Sequence, residues 1–135
     1  MPFIRTSVKR GTSVARKKSI VEAIHQALIE AINMPADELF NQVSEYDADD
    51  FFYSRTFNGI ARSDDLVAIE ITMRRGRSDA MKKNLYARIA DNLERQAAVS
   101  PKDVFIFTHE NDYSDWSVGN GKFAMEIAQQ RGSDH

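Results

Sequence analysis

Two stretches of this sequence, KRGTSVARKKSIVEAIHQALIEAI at residues 9–32 and RRGRSDAMKKNLYARIADNLERQA at residues 74–97, lie 65 positions apart and decide the fold. Aligned without gaps, they share identical residues at Arg10/Arg75, Gly11/Gly76, Ser13/Ser78, Lys17/Lys82, Lys18/Lys83, Ile24/Ile89 and Leu28/Leu93. Similarity at one fixed shift indicates a duplicated unit. We therefore expect one domain over residues 1–135, with pseudo-repeats at about 2–46 and 66–110 and a C-terminal extension at 111–135.

Each repeat is predicted to be a strand, a helix and a second strand. Residues 2–8 and 66–73 alternate apolar and polar side chains, as a strand requires. Ser13 and Ser78 are expected to cap the helices that follow. Apolar residues then recur at helical spacing: Ile20, Ile24, Ala27, Leu28 and Ala31 in the first repeat, and Leu85, Ile89, Leu93 and Ala97 in the second. Prolines follow both helices, and residues 38–46 and 104–110 supply the second strands.

A strand–helix–strand unit of this length joins parallel strands through a right-handed crossover. Two such units predict an α/β (α+β) fold, a four-stranded mixed sheet with both helices on one face. The segment VFIFT at 104–108 carries bulky side chains on both faces, so the face without helices needs cover and we expect a homo-oligomer. The connection at 47–65 should contain a turn at Asn58–Gly59 and could form short strands in FFYSRTF at 51–57.

The composition excludes several classes of function. The chain of 135 residues is 42% apolar and 28% charged, with a net charge of -2 and no cysteine. Disulfides, thiolate nucleophiles and sulfur-ligated metals are therefore excluded, and the charge balance argues against a nucleic-acid partner. No apolar run approaches the roughly 18 residues that a membrane helix needs, and the first eighteen residues lack the apolar core of a secretory signal. We expect a cytoplasmic protein with no membrane partner.

Histidines offer little support for a metal site. His25 lies within a helical stretch and has no second ligand at a suitable spacing. His109 and Glu110 end a predicted strand among acidic and amide residues that more often form turns. No metal is expected.

The start of the chain carries the first candidate for chemistry. If Met1 is removed, Pro2 presents a terminal secondary amine, whose reference pKa of roughly 8 lets it serve as acid, base or nucleophile near neutral pH. Proline also fits the first position of a strand for purely structural reasons, so this start alone does not decide between the two interpretations.

Arg75 and Arg77 are the second candidate. They lie between a predicted strand and the start of a predicted helix, where unpaired backbone NH groups and the helix dipole favour an anion. Two guanidinium groups there would bind a small carboxylate or phosphate, although a solvated basic turn is the structural alternative. If the first strands of the two repeats run antiparallel at the centre of the sheet, Pro2 can meet this arginine pair.

These features together resemble the tautomerase superfamily, and within it the malonate semialdehyde decarboxylase group. The resemblance covers residues 2–126 and rests on the MP start, the duplicated unit, RGRS at 75–78 and ENDYSDWSVGNGK at 110–122. It implies a homotrimer that works through its N-terminal proline without metal or organic cofactor. Pro2, Arg75 and Arg77 would then be catalytic, with the two arginines holding the substrate carboxylate.

The resemblance also implies further site residues. A family aspartate that follows Pro-x-x falls on Glu38, which is one methylene longer; Asp37 could serve if the turn differs. The apolar wall near the substrate would be formed by Trp116, Val118 and Met125, and Val118 replaces a larger aromatic residue, which predicts a roomier pocket.

The reaction implied by the resemblance is decarboxylation of malonate semialdehyde to acetaldehyde and CO2. The same residues could instead catalyse keto–enol tautomerisation of phenylpyruvate-like 2-oxo acids, or hydration of an unsaturated acid. If Met1 is retained, a non-catalytic trimeric binding protein is the better interpretation.

Overall fold

A computed structural model describes residues 2–124 and Glu126 of the chain. Along the chain, the strands and helices are β1 (Phe3–Lys9), α1 (Val14–Ile32), β2 (Asn41–Tyr46), β3 (Val67–Arg74), α2 (Asp79–Ala97) and β4 (Val104–Asn111). Short 3-10 turns occupy Phe57–Gly59, Pro101–Asp103 and Tyr113–Asp115. The predicted order of strands and helices is confirmed, and each boundary lies within a few residues of the predicted one.

The four strands form one mixed sheet in the order β2-β1-β3-β4. Strands are parallel within each repeat, and β1 and β3 run antiparallel at the centre. Ile4 pairs with Asn41 in the first repeat, and Ile69 pairs with Ile106 in the second, so both pairings follow the shift of 65 without a gap. The predicted duplicated fold is confirmed.

Both helices begin and end as local sequence dictates. The Ser13 hydroxyl accepts from the Arg16 amide at 3.1 Å and the Ser78 hydroxyl accepts from the Met81 amide at 3.2 Å, so each serine satisfies an amide of the first turn. Each helix ends at a residue in the left-handed conformation, Asn33 in the first repeat and Ala98 in the second.

The core lies between the two helices and one face of the sheet. In β3, the side chains of Val67, Ile69, Ile71 and Met73 are buried while those between them are partly exposed. The predicted helical stripes are buried against this face, except that Ala31 is only partly buried. Burial of one face of each helix holds both helices on the same side of the sheet.

The opposite face of the sheet has no helix over it. Phe105 and Phe107 lie on this face with 44% and 42% of their surface exposed, and their rings are 6.2 Å apart. On the other face, Val104 and Ile106 pack against the core. The expected division of β4 into two apolar faces is confirmed.

The connection at 47–65 differs from one expectation. Residues 51–57 form no strand; the Ser54 hydroxyl instead accepts from the amides of Thr56 and Phe57 and bends the chain into a turn. Asn58 adopts the left-handed conformation in this turn, as the Asn-Gly pair predicts. The backbone groups of a strand hydrogen-bond to a neighbouring strand, whereas here the Ser54 side chain accepts the backbone hydrogen bonds within the segment.

Three further hydrogen bonds hold this connection and its flanking residues against the second repeat. Asp103 is buried, and its carboxylate accepts from the amide of Ser63 at 2.8 Å and from its hydroxyl at 2.6 Å. Tyr46 donates its hydroxyl to the carbonyl of Leu66. Through the part of the chain that is described, no helix combines the length and apolarity needed to cross a membrane.

Candidate active site

The strand register brings the start of the chain to the arginine segment. Phe3 pairs with Thr72 in the antiparallel β1–β3 ladder, so Pro2 lies at the end of the sheet where β3 finishes at Arg74. Pro2 is itself buried. The predicted meeting of Pro2 and the arginine segment at one end of the sheet therefore follows from the central antiparallel pair.

Pro2 and Glu38 line the same narrow crevice, together with His25 from α1 and the residues at the start of β2. Glu38 is partly buried and closes a turn, since its amide donates to the carbonyl of Pro35 at 3.1 Å. Asp37 is exposed and does not line the crevice. Of the two carboxylates that the sequence left open, the structure brings Glu38 to Pro2.

An open cleft of about 330 Å³ lies at the same end of the sheet. It is lined by the connection between β3 and α2 and by the last turn of α1: Ile32, Asn33, Arg74, Arg75, Gly76, Arg77 and Met81. Gly76 has a φ of 121°, which side chains rarely adopt, and this bend allows Arg75 and Arg77 to line one cleft. Both predicted arginines are thus brought together.

Arg75 is fixed at the outer part of the cleft. Its side chain is 61% exposed, and Nε donates to Asp112 Oδ1 at 3.0 Å. The hydrogen bond and the charge of Asp112 raise the pKa of Arg75. The Arg75 amide donates to the carbonyl of Asn111 at 2.7 Å, which extends the β3–β4 pairing into this segment. Asp112 therefore orients a guanidinium that substrate can still reach.

Arg77 is partly buried and donates to the carbonyl of Arg74 at 2.6 Å. Burial, and then the charge of Arg74, lower the pKa of Arg77, while the charges of Tyr113 and Glu38 oppose that shift. Burial next to a like charge makes this guanidinium an attractive partner for an incoming carboxylate. Because the charge of Glu38 in the crevice opposes the lowering of the pKa of Arg77 in the cleft, the two parts of the site interact electrostatically.

Arg74 and His25 are site residues that sequence reasoning missed. Arg74 lines the cleft, and its guanidinium stacks over the ring of Tyr113 at 4.6 Å. The consecutive arginines at 74 and 75 are a sequence signal for this third cation. The sequence alone does not show that both reach the cleft, because successive residues of a strand point to opposite faces of the sheet. In the sequence, His25 is a candidate only for metal binding. Helical spacing alone does not show which residue of α1 lies beside Pro2.

The structure describes two of the three residues that were predicted to form the apolar wall. Trp116 is partly buried, and its indole NH donates to Asn111 Oδ1 at 2.6 Å, which ties it to the end of β4 opposite Arg74. Val118 is 46% exposed. Neither residue lines the crevice or the cleft. Met125 lies outside the described residues.

Metal ligands do not cluster in this part of the molecule. Residues 2–124 and Glu126 contain no group of three His, Asp or Glu side chains placed to hold an ion. The nearest charged pair to the cleft on β4 is Glu110 with Lys82, at 2.9 Å, and Lys82 lowers the pKa of Glu110. The crevice and the cleft together bring Pro2, Glu38 and three arginines to one end of the sheet.

Comparisons with known proteins give matches over most of the chain. Two family models, both described as tautomerase enzyme, match residues 38–119 and 2–54. The probable tautomerase YusQ of Bacillus subtilis (strain 168) is 35% identical, with 93% of this chain and 98% of that protein covered. The probable tautomerase YrdN of the same strain is 26% identical, with 90% and 94% covered.

Solved structures give the same result. The fold superimposes on malonate semialdehyde decarboxylase with a TM-score of 0.88 and 29% identity, covering 95% of this chain and 98% of the other. The FG41 malonate semialdehyde decarboxylase inhibited by 3-bromopropiolate gives a TM-score of 0.87 and 30% identity, covering 95% and 96%. A fused 4-OT symmetric trimer shares the fold at 19% identity, with a TM-score of 0.77, covering 93% and 98%.

Proposed function

Because the chain belongs to the tautomerase family, and is therefore an enzyme, we propose that it acts on a small oxo acid through Pro2 after removal of Met1. The preferred reaction is decarboxylation of malonate semialdehyde to acetaldehyde and CO2, with no cofactor. The single observation that carries the proposal is the position of Pro2 and Glu38 in one crevice at the end of the sheet that bears the arginine cleft. Similarity to two malonate semialdehyde decarboxylases supports the choice of substrate.

Each residue has a role in the proposed reaction. Arg75 and Arg77 bind the substrate carboxylate, and Glu38 orients the Pro2 ammonium. That ammonium hydrogen-bonds the aldehyde oxygen, or the amine condenses with the carbonyl carbon and loses water to form an iminium. The bond to the carboxylate then breaks, CO2 leaves, and the electron pair moves toward the cation. This charge movement is stabilised more in the transition state than in the ground state.

Protonation of the resulting carbon completes the cycle. In the iminium route, the enamine takes up a proton, and water then releases acetaldehyde and restores the Pro2 amine. Trp116, Val118 and Met125 are proposed to form an apolar wall beside the leaving carboxylate, with Val118 leaving more room than an aromatic residue would. Such a wall favours the uncharged product over the carboxylate.

Keto–enol tautomerisation of a phenylpyruvate-like 2-oxo acid is the second candidate. The matched family models and the two relatives from Bacillus subtilis are all described as tautomerases, which favours it. In that reaction a neutral Pro2 removes a proton next to the carbonyl and returns it at the other end of the enol. Hydration of an unsaturated acid is the third use of the same groups, and hydratase activity is attributed to a similar decarboxylase.

The proposed assembly is a homotrimer. The exposed phenylalanines of the open sheet face support an oligomer, and the similar fused 4-OT structures are described as trimers. A cytoplasmic location stays a prediction from the sequence.

The test uses purified protein whose intact mass shows whether Met1 is absent. Wild type, Pro2→Ala and Arg75→Ala are incubated with malonate semialdehyde and with phenylpyruvate. We expect turnover by the wild type and its loss in both variants. Activity that falls at high pH identifies a cationic Pro2 and decarboxylation, whereas activity that rises with pH identifies Pro2 as a base. Retained Met1 would contradict the proposal and favour a non-catalytic trimer, and equal activity in all three proteins would show that Pro2 and Arg75 do not form the active site.

A further inference from the structure

We propose that His25 is a positioning residue that holds the turn carrying Glu38 in place beside Pro2. The inference rests on the proposed function, in which Glu38 orients the Pro2 ammonium. His25 lies on α1 and lines the same crevice as Pro2 and Glu38. Its ring Nε2 lies 2.8 Å from the carbonyl oxygen of Ala36, two residues before Glu38.

The hydrogen bond fixes the chemistry of the His25 ring. A carbonyl oxygen can only accept, so Nε2 carries the hydrogen and donates it to Ala36, and in the neutral ring Nδ1 is then an acceptor. Nδ1 is buried and has no hydrogen-bond partner among the described residues. An apolar side chain would fill this position without leaving a buried acceptor. Packing alone therefore does not explain a histidine here, whereas the bond to Ala36 does.

The turn that His25 contacts is largely exposed, so packing does little to hold it in place. It runs from Pro35 to Glu38 and is closed by the bond from the Glu38 amide to the Pro35 carbonyl. Ala36 and Asp37 are both exposed. A hydrogen bond from a helix of the core to the Ala36 carbonyl therefore ties an exposed turn to a rigid element, and through that turn it sets the position of Glu38.

The second repeat shows how the same position is held without a histidine. The shift of 65 places Ala90 at the position of His25 and Asp103 at that of Glu38. There the carboxylate itself is fixed, because Asp103 accepts two hydrogen bonds from Ser63. In the first repeat, the bond from His25 acts on the backbone of the turn that carries Glu38. The two repeats thus hold this position in different ways, through the carboxylate itself in the second repeat and through a bond from the helix to the backbone in the first.

The kinetic test compares His25→Leu with His25→Gln. Glutamine can still donate to the Ala36 carbonyl, whereas leucine cannot. For the oxo acid turned over by the wild type, we expect kcat to fall about tenfold in His25→Leu, since misplacing a catalytic group by about an ångström is felt on that scale. KM should stay within about twofold because the arginines are unchanged, and His25→Gln should keep most of the activity.

The control is Gln26→Leu, an apolar change at the exposed neighbouring position of α1. If His25→Leu and Gln26→Leu lose activity equally, or if the loss in His25→Leu is in KM rather than kcat, the proposal is wrong. If His25→Leu does not fold, His25→Met removes the donor with a more flexible side chain and takes its place.

A second readout does not require turnover. Only three prolines occur in the chain, and of these only Pro2 can carry a titrating amine, so an NMR titration of protein labelled with 15N-proline reports the pKa of Pro2. A well-placed Glu38 raises that pKa. We expect a lower Pro2 pKa in Glu38→Gln and in His25→Leu, and a value close to wild type in His25→Gln.

The charged groups around Pro2 are Glu38 and His25 in the crevice and Arg74, Arg75 and Arg77 in the cleft. The arginines and Glu38 are unchanged in the His25 variants, and His25→Gln carries the same loss of the ring as His25→Leu. A difference in the Pro2 pKa between His25→Leu and His25→Gln therefore measures the effect of the hydrogen bond to the Ala36 carbonyl. If no oxo acid is turned over, the proposed function fails while the titration still decides on His25. An equal Pro2 pKa in wild type and His25→Leu would overturn the positioning role.

Discussion

At the residue scale, the candidate site combines a buried proline, Pro2, with charged side chains that differ in burial. Arg75 is exposed and oriented by Asp112, whereas Arg77 is partly buried and lies near the like charge of Arg74. A buried guanidinium that is incompletely balanced gains more from an incoming carboxylate than an exposed one does. The two arginines are therefore not equivalent, although RGRS presents them symmetrically in the sequence.

We predict that Arg77→Ala lowers kcat/KM for the oxo acid by roughly ten- to a hundredfold. A hydrogen bond to a charged group contributes about 1.5–3 kcal/mol, and each 1.4 kcal/mol corresponds to about a factor of ten. Steady-state kinetics measure the change. The control is Arg88→Ala on the exposed side of α2, where the guanidinium pairs with Glu30. Equal losses in the two variants would show that Arg77 does not bind substrate.

At the scale of the elements, the two helices start with the same serine cap but at opposite ends of the sheet. Ser78 caps α2 beside the arginine cleft, whereas Ser13 caps α1 after β1, at the end away from Pro2. Comparing variants of the two caps therefore distinguishes what a helix start contributes to stability from what it contributes to the site.

We expect Ser13→Ala and Ser78→Ala each to lower the free energy of unfolding by about 1 kcal/mol, the usual value of a serine cap. Urea denaturation followed by circular dichroism measures both. Ser78→Ala should also weaken substrate binding, because the cap fixes the start of the helix that carries the cleft, whereas Ser13→Ala should leave KM unchanged. A rise in KM for Ser13→Ala alone would contradict this assignment of the site.

Tyr46, the last residue of β2, makes the stability of the fold decrease at alkaline pH. Burial, followed by the charge of Tyr53, raises the pKa of Tyr46 from 10.0 to about 12. The neutral phenol is therefore favoured in the folded state, so its contribution to stability is complete below pH 10 and is lost as the pH rises toward 12. Tyr46→Phe should remove this contribution.

The measurement is the free energy of unfolding of wild type and Tyr46→Phe as a function of pH. The difference between the two proteins should be constant at neutral pH and shrink between pH 10 and 12. Titration of the other tyrosines and of the lysines is common to both proteins and cancels. A difference that stays constant over this interval would show that Tyr46 titrates normally.

At the scale of the whole molecule, the sheet has one covered face and one open face. Phe105 and Phe107 pack edge to face on the open face, and Glu70 pairs with His109 beside them at 3.0 Å. Exposed aromatic side chains of this kind, ringed by charges, are typical of an interface between subunits.

We predict that Phe107→Asp converts the proposed trimer into monomers, because a carboxylate on this face would be buried without a partner on assembly. Sedimentation velocity or light scattering after gel filtration measures the mass. The control is Val14→Asp, which places the same charge on an exposed apolar residue at the start of α1, where an acidic side chain is favourable. A trimer that survives Phe107→Asp would show that the open face is not the assembly surface.

The sequence by itself determined the elements and their topology. The periods of the strands, the serine caps and the terminating prolines act within a few residues of the backbone they control, and the shift of 65 shows that the second half repeats the first. The duplication makes a meeting of Pro2 with the arginine segment possible, and the antiparallel pairing of β1 with β3 in the folded sheet brings them to the same end.

Only the tertiary structure decided which carboxylate, which histidine and which third cation share the site. Glu38 rather than Asp37 lies by Pro2, and His25 and Arg74 join them. The segment at 51–57 becomes a turn rather than a strand for the same kind of reason, since the Ser54 hydroxyl competes for its backbone. These outcomes depend on the register between strands and on the neighbours of each side chain across the fold, which local sequence periodicity does not specify.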